Sequence, residues 1–96
     1  MPNWVVRTTI IILDSGEKTE TQVYSFEGEQ DALDLYKTFK TENIDPGTKR
    51  EIWLESITPI DIPAPGRRHL ITNHAVLTRS DDAAFPTITE YPVVQV

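Results

Sequence analysis

The sequence predicts a single α+β domain over residues 1–96, in which one amphipathic helix packs on a four-stranded, mainly antiparallel sheet in the order β-β-α-β-β. Three observations support this. A chain of 96 residues has the size of one domain. Only one segment shows helical periodicity, and the extended segments on each side of it are joined by turn or loop residues. One helix on an antiparallel sheet lets both elements bury their apolar faces.

The first two strands are predicted to form a β-hairpin. Residues 4–13 are rich in β-branched side chains, which favour a pleated sheet. The end of this segment is apolar on both faces, which is typical of a central strand. Residues 14–16 predict a turn, because Gly16 is free to adopt a positive φ. An extended pattern resumes over residues 21–26, so a hairpin is the simplest connection.

The helix is predicted over residues 29–42. Acidic residues stand at its start and Lys37 and Lys40 near its end, which suits the helix dipole. Asn43 and the segment 45–47, Asp-Pro-Gly, prevent its continuation. Four apolar residues at helical spacing form one stripe, predicted to face the sheet: Ala32, Leu35, Tyr36 and Phe39.

Two more strands are predicted after the helix. Residues 49–57 alternate between apolar and polar side chains, as in a half-buried strand. Residues 59–66 contain three prolines and a glycine and predict an irregular loop. Residues 69–79 form the fourth strand, and residues 80–96 a C-terminal tail. Within the tail, residues 88–91 are compatible with a short edge strand, although proline limits strand pairing.

The charge balance excludes several classes of function. The chain has 15 acidic residues against nine Lys and Arg, for a formal net charge of −6. Direct nucleic-acid binding needs a basic surface, so neither nucleic acid nor an anionic membrane is an expected partner. No apolar segment has the length of a membrane span or the composition of a signal peptide. Together with the absence of cysteine, this predicts a cytoplasmic protein.

No catalytic, metal or cofactor site is predicted. His69 and His74 are five residues apart, a spacing that places them on opposite faces of a regular strand. No serine lies in a nucleophile-elbow context, and the four glycines are scattered singly. The acid pairs Asp31/Asp34 and Asp81/Asp82 lack the burial that general acid–base chemistry requires, and they are expected to be solvated. Nothing in the sequence therefore points to an enzyme.

Charge segregation is the clearest functional feature. Residues 14–34 contain seven acids and one base, which equals the whole net charge, whereas residues 62–80 contain three bases and no acid. Trp53 shares its strand face with charged residues, while Ile52 and Leu54 occupy the other face. Exposed aromatic residues are enriched at interaction hot spots, and the alternative is that a loop such as residues 59–66 covers Trp53. The predicted binding residues are Glu29, Asp31, Asp34 and Trp53.

These features favour a non-enzymatic, acidic protein–protein interaction protein with a basic protein partner. An inhibitor of a nucleic-acid-binding machine, carried by a phage or mobile element, is one form of this hypothesis. One alternative is a small-ligand-binding module or small enzyme with its pocket between helix and sheet, which requires His69, His74 and Tyr24 to converge. A second alternative is a homo-oligomeric structural subunit, for which exposed sheet edges are the expected sign.

Overall fold

The computed structural model describes residues 3–60 and 66–91. Within these residues the chain forms one helix and one antiparallel sheet, as the sequence predicts. The helix is too short and too polar to cross a membrane. The elements, in chain order, are β1 (Trp4–Ile12), β2 (Lys18–Phe26), α1 (Glu29–Thr41), β3 (Thr48–Ile60), β4 (Gly66–Arg79) and β5 (Thr87–Tyr91).

The sheet has five strands in the order β2-β1-β3-β4-β5, so the prediction of four strands is wrong. The additional strand is β5, which pairs with β4 from His74 to Thr78. The sequence predicts a tail over this segment because proline limits strand pairing. Pro86, however, precedes β5, and Pro92 follows it. Neither proline therefore removes a hydrogen-bond donor from within the paired segment.

The first hairpin forms as predicted, and it places β1 inside the sheet. Gly16 in its turn has a φ of +71°, which glycine adopts without steric cost. β1 pairs with β2 on one side and with β3 on the other. The second pairing joins strands that are separated in sequence by β2 and α1.

Helix α1 packs on one face of the sheet. Ala32, Tyr36 and Phe39 of the predicted stripe are buried, and Leu35 is half-buried against the same core. Glu29 and Asp31 lie in the first turn and Lys40 in the last, which is the charge distribution that the helix dipole favours. The sheet contributes the other side of this core through Val6, Ile52, Leu54, Ala75 and Leu77, with Ile44 from the loop after α1.

The residues that alternate with these core positions form the opposite side of the sheet, which we call the open face. No helix or strand among residues 3–60 and 66–91 packs on it. Strand register places the following residues there: Val5, Arg7, Thr9 and Ile11 on β1; Lys18, Thr21, Val23 and Ser25 on β2; Lys49, Glu51, Trp53 and Glu55 on β3; Ile71, His74, Val76 and Thr78 on β4; and Thr87, Thr89 and Tyr91 on β5.

A β-bulge interrupts the pairing of β3 with β4. Leu54 pairs with Asn73 while Glu55 pairs with Ile71, so Thr72 is the extra residue, and its hydroxyl donates to the Leu54 carbonyl at 3.0 Å. The backbone partners of the two histidines, residues 57 and 53, are four apart on β3 and therefore share a face. The expectation of opposite faces for the histidines is wrong, since it assumed a strand without a bulge.

Strands β3 and β4 extend beyond the rest of the sheet. Residues 58–60 and 66–68 pair only with one another among the described residues. The two strands therefore reach into both ends of the predicted 59–66 loop, and the remaining residues 61–65 lie outside the described part of the chain. Of the predicted tail 80–96, residues 87–91 form β5 and residues 92–96 lie outside the described part.

Candidate interaction surfaces

The four predicted binding residues do not form one site. Glu29, Asp31 and Asp34 are exposed on α1, whereas Trp53 lies on the open face, on the other side of the sheet. A single flat contact cannot include all four. The molecule instead has two candidate surfaces, which differ in shape and in charge.

The first surface, which we call the acidic helix patch, surrounds the start of α1. Its four carboxylates belong to Glu27, Glu29, Asp31 and Asp34, all of which are exposed. None of them forms an ion pair with a described residue. Asp34 accepts a hydrogen bond from the Gln30 side-chain nitrogen at 2.8 Å, a contact that fixes its position without neutralising its charge. The patch therefore presents uncompensated negative charge on a rigid element.

The acids of the first turn lie elsewhere. Trp4 pairs with Phe26 at the end of the sheet where α1 begins, whereas Ile11 pairs with Lys18 at the end that carries the turn. These positions are about 24 Å apart along β1, at roughly 3.4 Å per residue. The turn acids, which are Asp14, Glu17 and Glu20, therefore form a separate group.

The second surface is the centre of the open face, where a row of side chains crosses four strands. The rings of Trp53 and His74 are stacked, with centroids 5.0 Å apart and planes inclined by 10°. His74 stacks in turn on Tyr91, with centroids 4.9 Å apart. On the other side, the Arg7 guanidinium carbon lies 5.4 Å from the centroid of the Trp53 ring. We call these four residues the cross-strand row.

The cross-strand row follows from the register. Arg7 pairs with Trp53, Trp53 with His74, and His74 with Tyr91, so the four side chains stand directly opposite one another on adjacent strands. Trp53 is consequently half-buried, with Arg7 and His74 covering its two ring faces. Arg7 and Tyr91 terminate the row and are both exposed.

Charges on the open face neutralise one another. Arg7 forms an ion pair with the buried carboxylate of Glu55. Lys49 lies beside Glu51, with 3.6 Å between the ammonium nitrogen and a carboxylate oxygen. Lys18, at one corner, adds a single positive charge. Among the residues that the structure describes, the open face thus contains no uncompensated carboxylate, although the chain as a whole has a net charge of −6.

Tyr24 and His74, two of the three side chains that the alternative of an enzyme or ligand site requires to converge, lie on opposite sides of the sheet. Tyr24 lies on the helix side, with its ring centroid 5.8 Å from that of Phe39, whereas His74 lies on the open face. His74 Nε2 is buried and has no hydrogen-bond partner among the described residues, so no nucleophile there is positioned to use it as a base. Within the described residues, no three potential metal ligands come together.

The surface of the described part of the chain contains two depressions large enough for a small ligand. One, of about 390 Å³, lies between the first turn and the loop after β4 and includes the carboxylates of Asp14 and Asp81. The other, of about 420 Å³, lies beside the end of α1 and includes Phe85 and Ile88. The first lies away from α1, whereas the second is bordered by the end of α1 and by Ile88 of β5, at the rim of the helix–sheet contact rather than beneath the helix. Neither includes a histidine.

Comparisons with known proteins identify no family for this chain. No protein-family model matches it, and no curated protein sequence or solved structure matches it significantly. Sequence reasoning identified Trp53 but missed its neighbours Arg7, His74 and Tyr91. The one available signal was Arg7, a lone charged residue within an otherwise apolar and threonine-rich strand.

Proposed function

We propose that this protein is a non-enzymatic interaction protein that binds a basic protein partner through the acidic helix patch. The observation that carries the proposal is the difference in pairing among its acids. Glu42, Glu51, Glu55 and Glu90 each form an ion pair, whereas all four carboxylates of the acidic helix patch are exposed and form no ion pair with a described residue. Uncompensated charge concentrated on one surface steers an oppositely charged partner toward it.

The helix adds geometric definition to this charge. Glu29, Asp31 and Asp34 fall within about 8 Å of axial rise along α1. The buried residues Tyr36 and Phe39 anchor α1 to the sheet. Charges on a fixed element lose less conformational entropy on binding than charges on a mobile loop. This favours the acidic helix patch over the turn acids as the contact surface.

The nature of the charge suggests a class of partner. Proteins that hold nucleic acid present arginine and lysine side chains to phosphates. A cluster of exposed carboxylates competes for such side chains, so an inhibitor of a nucleic-acid-binding machine, of phage or mobile-element origin, is the finer form of the proposal. The partner is then the basic protein itself, and the acidic chain does not contact nucleic acid.

Charge reversal at two places tests the proposal. One variant carries Glu29→Lys, Asp31→Lys and Asp34→Lys. The matched control carries Asp14→Lys, Glu17→Lys and Glu20→Lys in and beside the turn. Each raises the formal net charge from −6 to zero, so the two differ only in where the charge changes. A partner is first captured with the wild-type chain from an extract of the source organism at low salt, identified by mass spectrometry and purified.

The association rate of that partner is then measured with the wild-type chain and with each of the two variants. The helix variant should associate at least about tenfold more slowly at low salt, because electrostatic steering contributes roughly 10- to 1,000-fold. The turn variant should remain close to wild type. Equal slowing of both variants would mean that only net charge matters, and unchanged rates in the helix variant would mean that the acidic helix patch is solvated surface. Either result contradicts the proposal.

The alternative of a ligand or enzymatic pocket between helix and sheet has less support. That space is filled by side chains that are at most 1% exposed, including Tyr36, Ile52 and Leu54. Together with the separation of Tyr24 from His74, this leaves no room for a ligand beneath α1 in the part of the chain that the structure describes.

A further inference from the structure

The open face combines exposed apolar area with residue types that dominate binding energy at interfaces. Val23, Ile71 and Tyr91 are exposed by 59%, 42% and 49%, respectively. Trp53, Tyr91 and Arg7 belong to the three residue types that are most enriched among interface hot spots. One face of an antiparallel sheet is often solvated, and the side chains on a solvated face are usually polar or charged. Here exposed aliphatic and aromatic side chains lie among the polar and charged ones.

Charge determines what can cover this surface. Two copies of a chain with a net charge of −6 repel each other. A two-fold interface places the same surface on both sides, so a charged surface would face its own sign. The open face avoids this, because Arg7 is paired with Glu55 and Lys49 with Glu51 within each copy. It is therefore a surface that a second copy can approach without facing an uncompensated carboxylate.

The extent of the open face suits a reversible dimer. Val5, Thr9, Ile11 and Glu55 are already buried within each copy, so the exposed residues around them supply the contact. Five strands spaced about 4.8 Å apart give a width of about 24 Å. From Val5 to Ile11 the face extends about 20 Å along β1, at roughly 3.4 Å per residue. The projected area is about 500 Å² per copy, or about 1,000 Å² for two, which is close to the lower limit for a specific interface.

We propose that the open face is a homodimer interface, in which the sheets of two copies stack face to face around a two-fold axis. Stacked sheets lie about 10 Å apart and interdigitate their side chains. The cross-strand row lies at the centre of this contact, and Val23 and Thr89 lie toward its two edges. The acidic helix patch lies on the outer side of each copy, so it stays accessible in the dimer.

Sedimentation velocity over a wide range of protein concentrations tests the proposal. The wild-type chain should dimerise reversibly. Val23→Lys and Thr89→Lys each place a charge on the open face, at opposite edges, and each should weaken the dimer at least about tenfold. Ile88→Lys is the matched control, since Ile88 is 48% exposed and adjoins Thr89 but points to the helix side. It should leave the dimer unchanged.

Three sedimentation results would contradict the open face as the dimer interface. A wild-type chain that is monomeric at every concentration would overturn the proposal, whether water or another segment of the chain covers the open face. Equal weakening by Ile88→Lys would place the interface elsewhere. Sensitivity to Val23→Lys but not to Thr89→Lys would indicate edge-to-edge pairing through β2 and would also contradict it. Circular dichroism and thermal melts of all three variants establish that each is folded.

The helix charge-reversal variant distinguishes this proposal from the proposed function. Glu29→Lys, Asp31→Lys and Asp34→Lys should leave the dimer intact, because these residues lie away from the open face. Raising the salt concentration should not dissociate the dimer, since no ion pair between copies holds it, whereas salt should slow the association with a basic partner. A dimer that dissociates in salt would contradict a stacked interface whose carboxylates are paired within each copy.

Discussion

The two faces of the sheet hold their side chains in place by different means. On the helix side, core residues of β1, β3 and β4 are buried together with Tyr36 and Phe39 of α1. The cover on this side is therefore a separate secondary-structure element. On the open face, no such element is present among the described residues, and Trp53 is covered by side chains from its own neighbouring strands. The comparison shows that side chains of neighbouring strands can cover both faces of an aromatic ring where no helix among the described residues packs on it. Arg7 and Tyr91, at the two ends of the cross-strand row, are the exposed members of that row.

The largest expected effect lies on the helix side. Phe39→Ala should lower the free energy of unfolding by about 3–5 kcal/mol, because it removes a buried ring and leaves a cavity. The ring contacts Tyr24 and lies 5.1 Å from the Arg50 guanidinium carbon, so the cavity would open at the helix–sheet contact. Denaturant titration measures the loss.

Phe85→Ala is the matched control for this substitution. Phe85 is 76% exposed in the loop before β5, so its removal should change stability by less than about 0.5 kcal/mol. Similar losses in the two variants would show that the helix side does not contain the main core, and the distinction between the faces would fail.

An intermediate effect concerns pH. Burial, together with the negative charge of Glu90, raises the pKa of Tyr36 to about 12, from an ordinary value of 10.0. The folded state therefore favours the protonated phenol of Tyr36. The resulting contribution to the free energy of unfolding is fully present below pH 10 and is lost as the pH rises toward 12. The loss should be on the order of 2 kcal/mol.

Alkaline denaturant titrations of the wild-type chain and of Tyr36→Phe measure this effect. The variant has no phenol at this position, so its stability should fall less between pH 10 and pH 12. If the stability of the two proteins fell equally between pH 10 and pH 12, the loss would come from other titrating groups. The raised pKa of Tyr36 would then be contradicted.

The smallest expected effect belongs to the open face. Trp53 and His74 stack across β3 and β4, and such a pair contributes roughly 0.2–1 kcal/mol. A double-mutant cycle with Trp53→Ala, His74→Ala and both together should give a coupling energy in this range. A parallel cycle between Trp53 and Thr89, which lie in different rows, should give none. Coupling in the second cycle but not in the first would contradict the cross-strand row.

Local patterns predicted most of the fold. The β-branched residues of β1 and the apolar stripe of α1 depend on residues close in sequence, so periodicity was sufficient to place them. Strand β5 was set aside because of its prolines, whose position just outside the pairing segment becomes clear only when the partner strand is known. The bulge at Thr72 has no local signal in the sequence, yet it decides which face each residue beyond it occupies.

The candidate surfaces were predictable only in part. Charge counting identified the acidic residues of α1 correctly as exposed, because exposure of acids is the common case. It could not show that other acids are paired, since the partners Arg7–Glu55 and Lys40–Glu90 are 48 and 50 residues apart. The cross-strand row required the register of four strands, which no single strand contains.

The order of the strands also bears on how the chain folds. The β1–β2 hairpin and the β3–β4–β5 meander each join consecutive strands, so each forms with a small loss of chain entropy. The β1–β3 pairing is the exception, since it closes a loop that contains all of β2 and α1. Helix α1 contacts β1 and β2 on one side of this seam and β3 on the other. The helix therefore spans the β1–β3 seam, and its packing adds to the strand pairing that joins the two locally connected halves of the sheet.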